Sequence, residues 1–107
     1  IAAHEPGDVG AVLIRALEPI EGIPVMEENR GVTDLYNLTS GPGKLTKSLN
    51  VTKELHGLNV TEGSAELKIV DGGPEEFQTA TSHRIGVSRD LPRELRFYIK
   101  GSRFVSR

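Results

Sequence analysis

Leu38-Thr39-Ser40-Gly41-Pro42-Gly43-Lys44-Leu45-Thr46-Lys47-Ser48-Leu49 carries the marks of a helix start. A serine just before a helix can accept one of the unpaired N–H groups of the first turn, which makes Ser40 the expected N-cap. Proline suits the first turn, where its missing N–H costs nothing, and Pro42 stands there. Leu45 and Leu49 are four apart and share a face, which is expected to be buried, while Lys44 and Lys47 fall on other faces. Gly41 and Gly43 would let a ligand approach the backbone, and the free N–H groups and helix dipole favour an anion. Two readings stay open on this stretch alone: a phosphate-binding helix start, or an ordinary capped helix with a solvated lysine. One phosphate device is excluded. The nucleotide-hydrolase loop needs G-x-x-x-x-G-K-[ST]. Here Leu38 occupies the place of the first glycine, and Leu45 that of the hydroxyl that would hold magnesium.

The 107 residues bound the answer to one domain at most, with a core kept small by 36% hydrophobic and 5% aromatic content. No cysteine is present, so no disulfide framework or thiolate metal site is expected. His4, His56 and His83 share no ligand spacing, and no metal site is expected from them. No apolar run reaches the length of a membrane span and no signal peptide opens the chain, so a soluble intracellular protein is expected. Asn37-Leu38-Thr39, Asn50-Val51-Thr52 and Asn59-Val60-Thr61 match the glycosylation acceptor and, without a secretory signal, are read as coincidence. The net charge of −2 is not that of a protein basic all over. Its distribution is uneven: residues 84–107 hold seven Arg or Lys against two acids, and residues 1–83 hold six against thirteen. The basic end reads as a phosphate-facing strip or as a solvated face.

Outward from the first stretch, Ala11 to Glu18 is an apolar run interrupted by Arg15, which predicts a buried strand ended by Pro19. An arginine is rarely buried without a partner. Arg15 therefore reaches an anionic ligand or pairs with Glu18 or another acid. Pro24 opens a short helix over 25–30 with Gly31 as its stop. A helical turn is expected over 33–36, and Thr52 caps another that stops at Gly57, with a lone surface His56. The alternation of Ala65 to Asp71 predicts a half-exposed strand. Phe77–Thr81 is a weaker strand, and Leu95–Lys100 a strand ended by Gly101. Gly86, inside the apolar piece Arg84-Ile85-Gly86-Val87, suggests a bulge or close backbone approach. The sum is an α+β class: a mostly antiparallel sheet or partial barrel with short inserted helices, spanning 1–107 as a domain or part-domain.

Four segments in this order, Arg15-Ala16-Leu17-Glu18-Pro19, Gly41-Pro42-Gly43-Lys44-Leu45, Arg84-Ile85-Gly86-Val87 and Leu95-Arg96-Phe97-Tyr98-Ile99-Lys100-Gly101, resemble the alkyladenine DNA glycosylases, the 3-methyladenine DNA glycosylases of mammalian type. The likeness runs from about Gly10 to the end. It implies base-excision repair: a damaged purine is flipped from duplex DNA into a pocket, and a carboxylate activates water to hydrolyse the N-glycosidic bond, without metal or cofactor. It also implies that the chain corresponds to the C-terminal half. The family's catalytic glutamate in E-T-E-A-Y, its pocket histidine and its tyrosine-bearing hairpin do not occur here, so no catalytic residue is expected in this chain. A fragment, a split product or a truncated gene is expected, with a missing N-terminal half as partner and no membrane contact.

The resemblance implies DNA contacts at Arg15, Arg30, Lys44 and Lys53, and a base pocket at Ile85 and Gly86. It favours phosphate binding at the opening stretch. There are departures. Glu27 replaces an arginine of the M-R-x-x-R pattern, Ser40 a common asparagine, and Arg103 a common proline, adding charge to the last turn. The alternative to a glycosylase part is a non-catalytic nucleic-acid-binding module.

Overall fold

A computed structural model describes residues 1–106. Helix α1 (Ile23–Arg30) and helix α2 (Pro42–Ser48) precede an antiparallel pair, β1 (Thr79–Ser82) and β2 (Arg96–Ile99), with 3-10 turns at Leu35–Asn37 and Lys53–Leu55. The class is α+β, as expected.

Local chemistry sets the helix limits. Pro24 sits in the first turn of α1. Gly31, at φ 70°, ends the helix in the left-handed region, where its N–H still reaches the Glu27 carbonyl at 2.7 Å. Asp34 and Thr52 each accept a backbone N–H at the start of a 3-10 turn, from Tyr36 and Glu54 respectively. Helix α2 begins at Pro42 as read, but Ser40 is not its cap. Gly41 holds that position in extended backbone and no side chain caps the helix. The chain turns in one residue later than the serine pattern predicts.

The core lies between α1, α2 and the segment that joins them. Leu38 and Leu45 are its buried apolar residues, with Thr39 and Ser48 beside them; Leu49 is only half-buried. Each buried hydroxyl has a partner, since an unpaired one would cost about 1–3 kcal/mol. Ser48 Oγ donates to the Leu38 carbonyl at 2.6 Å, and Thr39 Oγ1 to the Leu17 carbonyl at 2.7 Å. Asn29 on α1 donates to the Ser48 carbonyl on α2 at 2.9 Å, which ties the helices end to end.

Two expected strands do not form. Ala11–Glu18 bridges Ala2 through Ala11 alone, and the Leu17 N–H donates to the Thr39 carbonyl without a returning backbone bond among the described residues. Val12 and Leu13 are exposed rather than buried. Ala65–Asp71 makes no ladder; Ile69 N–H donates to Val60 and both Ile69 and Val70 are exposed. A strand is completed only by a neighbour that takes its N–H and C=O groups. Among the described residues, 65–71 has none, and 11–18 has one only at its start, where Val12 and Ile1 exchange backbone bonds. The expected strand at 77–81 is shifted to β1, which pairs with β2 in the register Thr79↔Ile99 through Ser82↔Arg96. Ala80, Ser82, Arg96 and Tyr98 share the inner face of this pair.

Candidate nucleic-acid interface

Residues 103–106 fold back against the molecule and meet side chains from distant parts of the chain. Ser106 is buried. Its hydroxyl accepts Arg15 Nε at 3.2 Å and its carbonyl accepts Arg96 Nη2 at 2.7 Å. The other terminal nitrogen of Arg96 donates to Ser82 Oγ at 3.0 Å, across the strand pair, and its guanidinium lies 4.3 Å from the Tyr98 ring centre. Arg15 is thus half-buried on a neutral hydroxyl. The ion pair with Glu18 or another acid, one of the two readings open for Arg15, is absent among the described residues.

A second knot forms at the 3-10 turn before α2. Arg30, at the end of α1, donates through Nε to the Leu38 carbonyl at 3.1 Å and through Nη2 to the Asn37 carbonyl at 2.8 Å. Lys44 Nζ donates to Asn37 Oδ1 at 2.6 Å. Arg30 and Lys44, read separately in the sequence, therefore meet on Asn37. Tyr36, one residue earlier, packs against Phe104 with ring centres 4.9 Å apart, and the Arg103 guanidinium lies 3.8 Å from the Tyr36 ring centre. None of these cations faces a carboxylate within salt-bridge distance among the described residues. Their partners are hydroxyls, carbonyls and rings, which hold a side chain in place and leave its charge intact.

Lys53 is exposed on its 3-10 turn. Ile85 and Gly86 lie in a loop closed by Asp90, whose carboxylate accepts Arg84 Nε at 2.7 Å, the Arg84 N–H at 2.9 Å and the Leu91 N–H at 2.8 Å. The Arg84 side chain holds the Asp90 carboxyl below its usual value, against a smaller opposing effect of desolvation. Inside this loop Ile85 is half-buried, and Gly86 adopts φ 76°, a conformation that only glycine takes readily. Among the described residues no three potential metal-ligating side chains come together, and no helix is long and apolar enough to cross a membrane. Arg96, Arg103, Tyr36 and Ser106 were not singled out as site residues by sequence reasoning. The available signal was the basic excess after residue 83.

This small α+β chain brings Arg15, Arg96 and Arg103 to residues 103–106, and among the described residues none of them faces a carboxylate within salt-bridge distance. The family model described as Methylpurine-DNA glycosylase (MPG) matches residues 1–103. The chain is 42% identical over 100 residues, 91% of its length, to a protein of Methanoculleus marisnigri named "Putative 3-methyladenine DNA glycosylase", and covers 52% of it. Proteins of the same name from Mesorhizobium japonicum (41% identity, 99% of this chain, 50% of the relative) and Chlorobaculum tepidum (42%, 100% and 51%) are similarly close. The chain therefore belongs to the methylpurine-DNA glycosylase family. It spans about half the length of the curated relatives it matches.

Proposed function

We propose that this chain is the DNA-clamping part of a base-excision glycosylase that flips alkylated or deaminated purines from duplex DNA and hydrolyses their N-glycosidic bonds inside the cell. In this reading it corresponds to the C-terminal half of a mammalian-type, monofunctional enzyme, and the catalytic glutamate lies in the other half. The observation that carries the proposal is the convergence of Arg15 and Arg96 on Ser106, and of Arg30 and Lys44 on Asn37, without carboxylate partners among the described residues. Phosphate contacts position a duplex without reading it, and cations held by neutral groups are suited to that work. Arg15 and Lys44 contact backbone phosphates near the flipped nucleotide. Arg30 acts from behind, by stiffening the turn that presents Asn37, and Lys53 adds an outer contact. Ile85 and Gly86 form a wall of the base pocket, with Gly86 giving the close backbone approach.

The chemistry requires a carboxylate that accepts a proton from water beside C1′ of the deoxyribose. No carboxylate of the described residues is buried, and Asp90 is engaged by Arg84. This supports placing the general base outside the chain. The test uses duplexes carrying hypoxanthine or 3-methyladenine and an assay for abasic sites. The 107-residue chain alone is expected to release no base, whereas a polypeptide of the full family length is expected to turn over. Abasic sites produced by the short chain above the buffer control would refute the division of labour.

A further inference from the structure

We propose that Arg103, stacked on Tyr36 at the rim of a shallow cavity on the β2 side, is a phosphate-binding residue of the DNA interface. The proposal rests on the glycosylase reading and adds a contact to it. The Arg103 guanidinium lies 3.8 Å from the Tyr36 ring centre, and Tyr36 is braced from within the fold by Phe104. The ring is further fixed by its place in the 3-10 turn, where the Tyr36 N–H donates to the Asp34 carboxylate at 3.1 Å. Arginine loses much rotamer freedom when it binds an anion; one already laid on a braced ring has lost part of it beforehand.

A cation held over an aromatic ring is attracted by the ring itself, so a guanidinium placed there keeps N–H donors for two phosphate oxygens. Arg103 makes no ion pair among the described residues, in contrast to Arg84, whose charge is answered by Asp90 at 2.7 Å. The cavity beside it has a volume of about 340 Å³ and is lined by Arg96 and Tyr98 as well as Arg103. Arg96 is held by Ser82, Ser106 and Tyr98, so it builds the wall, and Arg103, beside it in the lining, has no hydrogen-bond or salt-bridge partner among the described residues. Tyr36 and Asn37 are consecutive, so the stacked Arg103 and the Asn37-bound Lys44 are carried by one turn. The phosphate contact at Lys44 thereby gains a neighbour on the same rigid support.

The experiment measures affinity of the full-length protein for an undamaged duplex as a function of salt, for wild type, Arg103→Ala and Arg103→Lys, with folding checked by circular dichroism. Each phosphate contact adds about 0.9 to the slope of log K against log salt. Over a fourfold rise in salt the wild type is expected to lose roughly 3.5-fold more affinity than Arg103→Ala, by that same slope. Arg103→Lys keeps the charge and is expected to keep the slope, with weaker binding at every salt because the fork and the stack are gone. An unchanged slope in the alanine variant would overturn the proposal, as would a lysine variant with the alanine slope. A wild type that binds no duplex would sink the glycosylase reading along with this one. Tight wild-type binding with an indifferent Arg103 would sink this one alone.

Discussion

Among the described residues Lys44 makes a single hydrogen bond, to a neutral amide oxygen, and its side chain is exposed, so two of its three N–H donors and its whole charge remain for solvent or a ligand. That geometry distinguishes it from a lysine tied to an acid. In the chain joined to its proposed N-terminal half, Lys44→Ala is expected to weaken damaged and undamaged duplexes alike and to lower the salt slope by about one unit, because phosphates carry no base information. Affinity against salt on both duplexes checks this. An unchanged slope would return Lys44 to the status of a solvated residue, and a loss confined to lesion DNA would place it in the base pocket. Arg15 and Arg30 differ from it. Each is half-buried and donates into the fold, so their substitution would disturb the Ser106 and Asn37 knots as well as any phosphate.

At the scale of elements, the loop from Arg84 to Asp90 is held by one carboxylate with several donors. A charge-assisted bond from Arg84 stabilises the ionised form of Asp90, with the Leu91 and Arg84 N–H groups adding to it. His83 lies 3.9 Å from the same carboxylate and adds positive charge when protonated. A carboxyl lowered on folding contributes stability that is present above its unfolded value of 3.8 and lost as pH falls through the lower folded value. The loop that carries Ile85 and Gly86 is therefore expected to loosen only in strong acid and to be unaffected near neutrality. A carbon-detected NMR titration of Asp90 should show a midpoint under 3.8 that rises in Arg84→Ala. A midpoint at the ordinary value in the wild type would show that the loop is not closed by this pair.

The whole molecule exposes more surface than a folded protein of its mass. Its accessible area is 8647 Å², against about 5,800 Å² for a typical 11.6 kDa monomer. Its radius of gyration is 15.1 Å, where about 13 Å is usual for this length. Val9, Leu13, Ile20 and Val70 are among the exposed apolar side chains, and the buried apolar core is Leu38 and Leu45. Such a chain recovers little hydrophobic free energy against its conformational entropy. Alone, the 107 residues are expected to unfold over a broad range or to show no transition in calorimetry, and the chain joined to its proposed N-terminal half to unfold sharply. A single sharp, two-state transition of the isolated monomer would contradict this.

What was legible in the sequence depends on neighbours within a few residues. The starts at Pro24 and Pro42, the stop at Gly31 and the Thr52 cap follow from such local chemistry, as does the turn of the chain out of β2 at Gly101. So do the short motifs that placed the chain among the DNA glycosylases, and the basic excess that marked its end. Where local patterns competed, proximity misled: Ser40 was in reach of the helix, yet Gly41 took the position. Pairing is another matter. The alternation of 65–71 and the apolar run of 11–18 describe strands, but a strand exists only where a second one meets it, and no local pattern carries that. The cation cluster is decided the same way. Arg15 reaches a hydroxyl 91 residues away, and Arg103 finds its ring at Tyr36, in the turn that precedes α2 in the chain. Contacts across such separations arise from how the elements pack, which is why only the tertiary structure shows them.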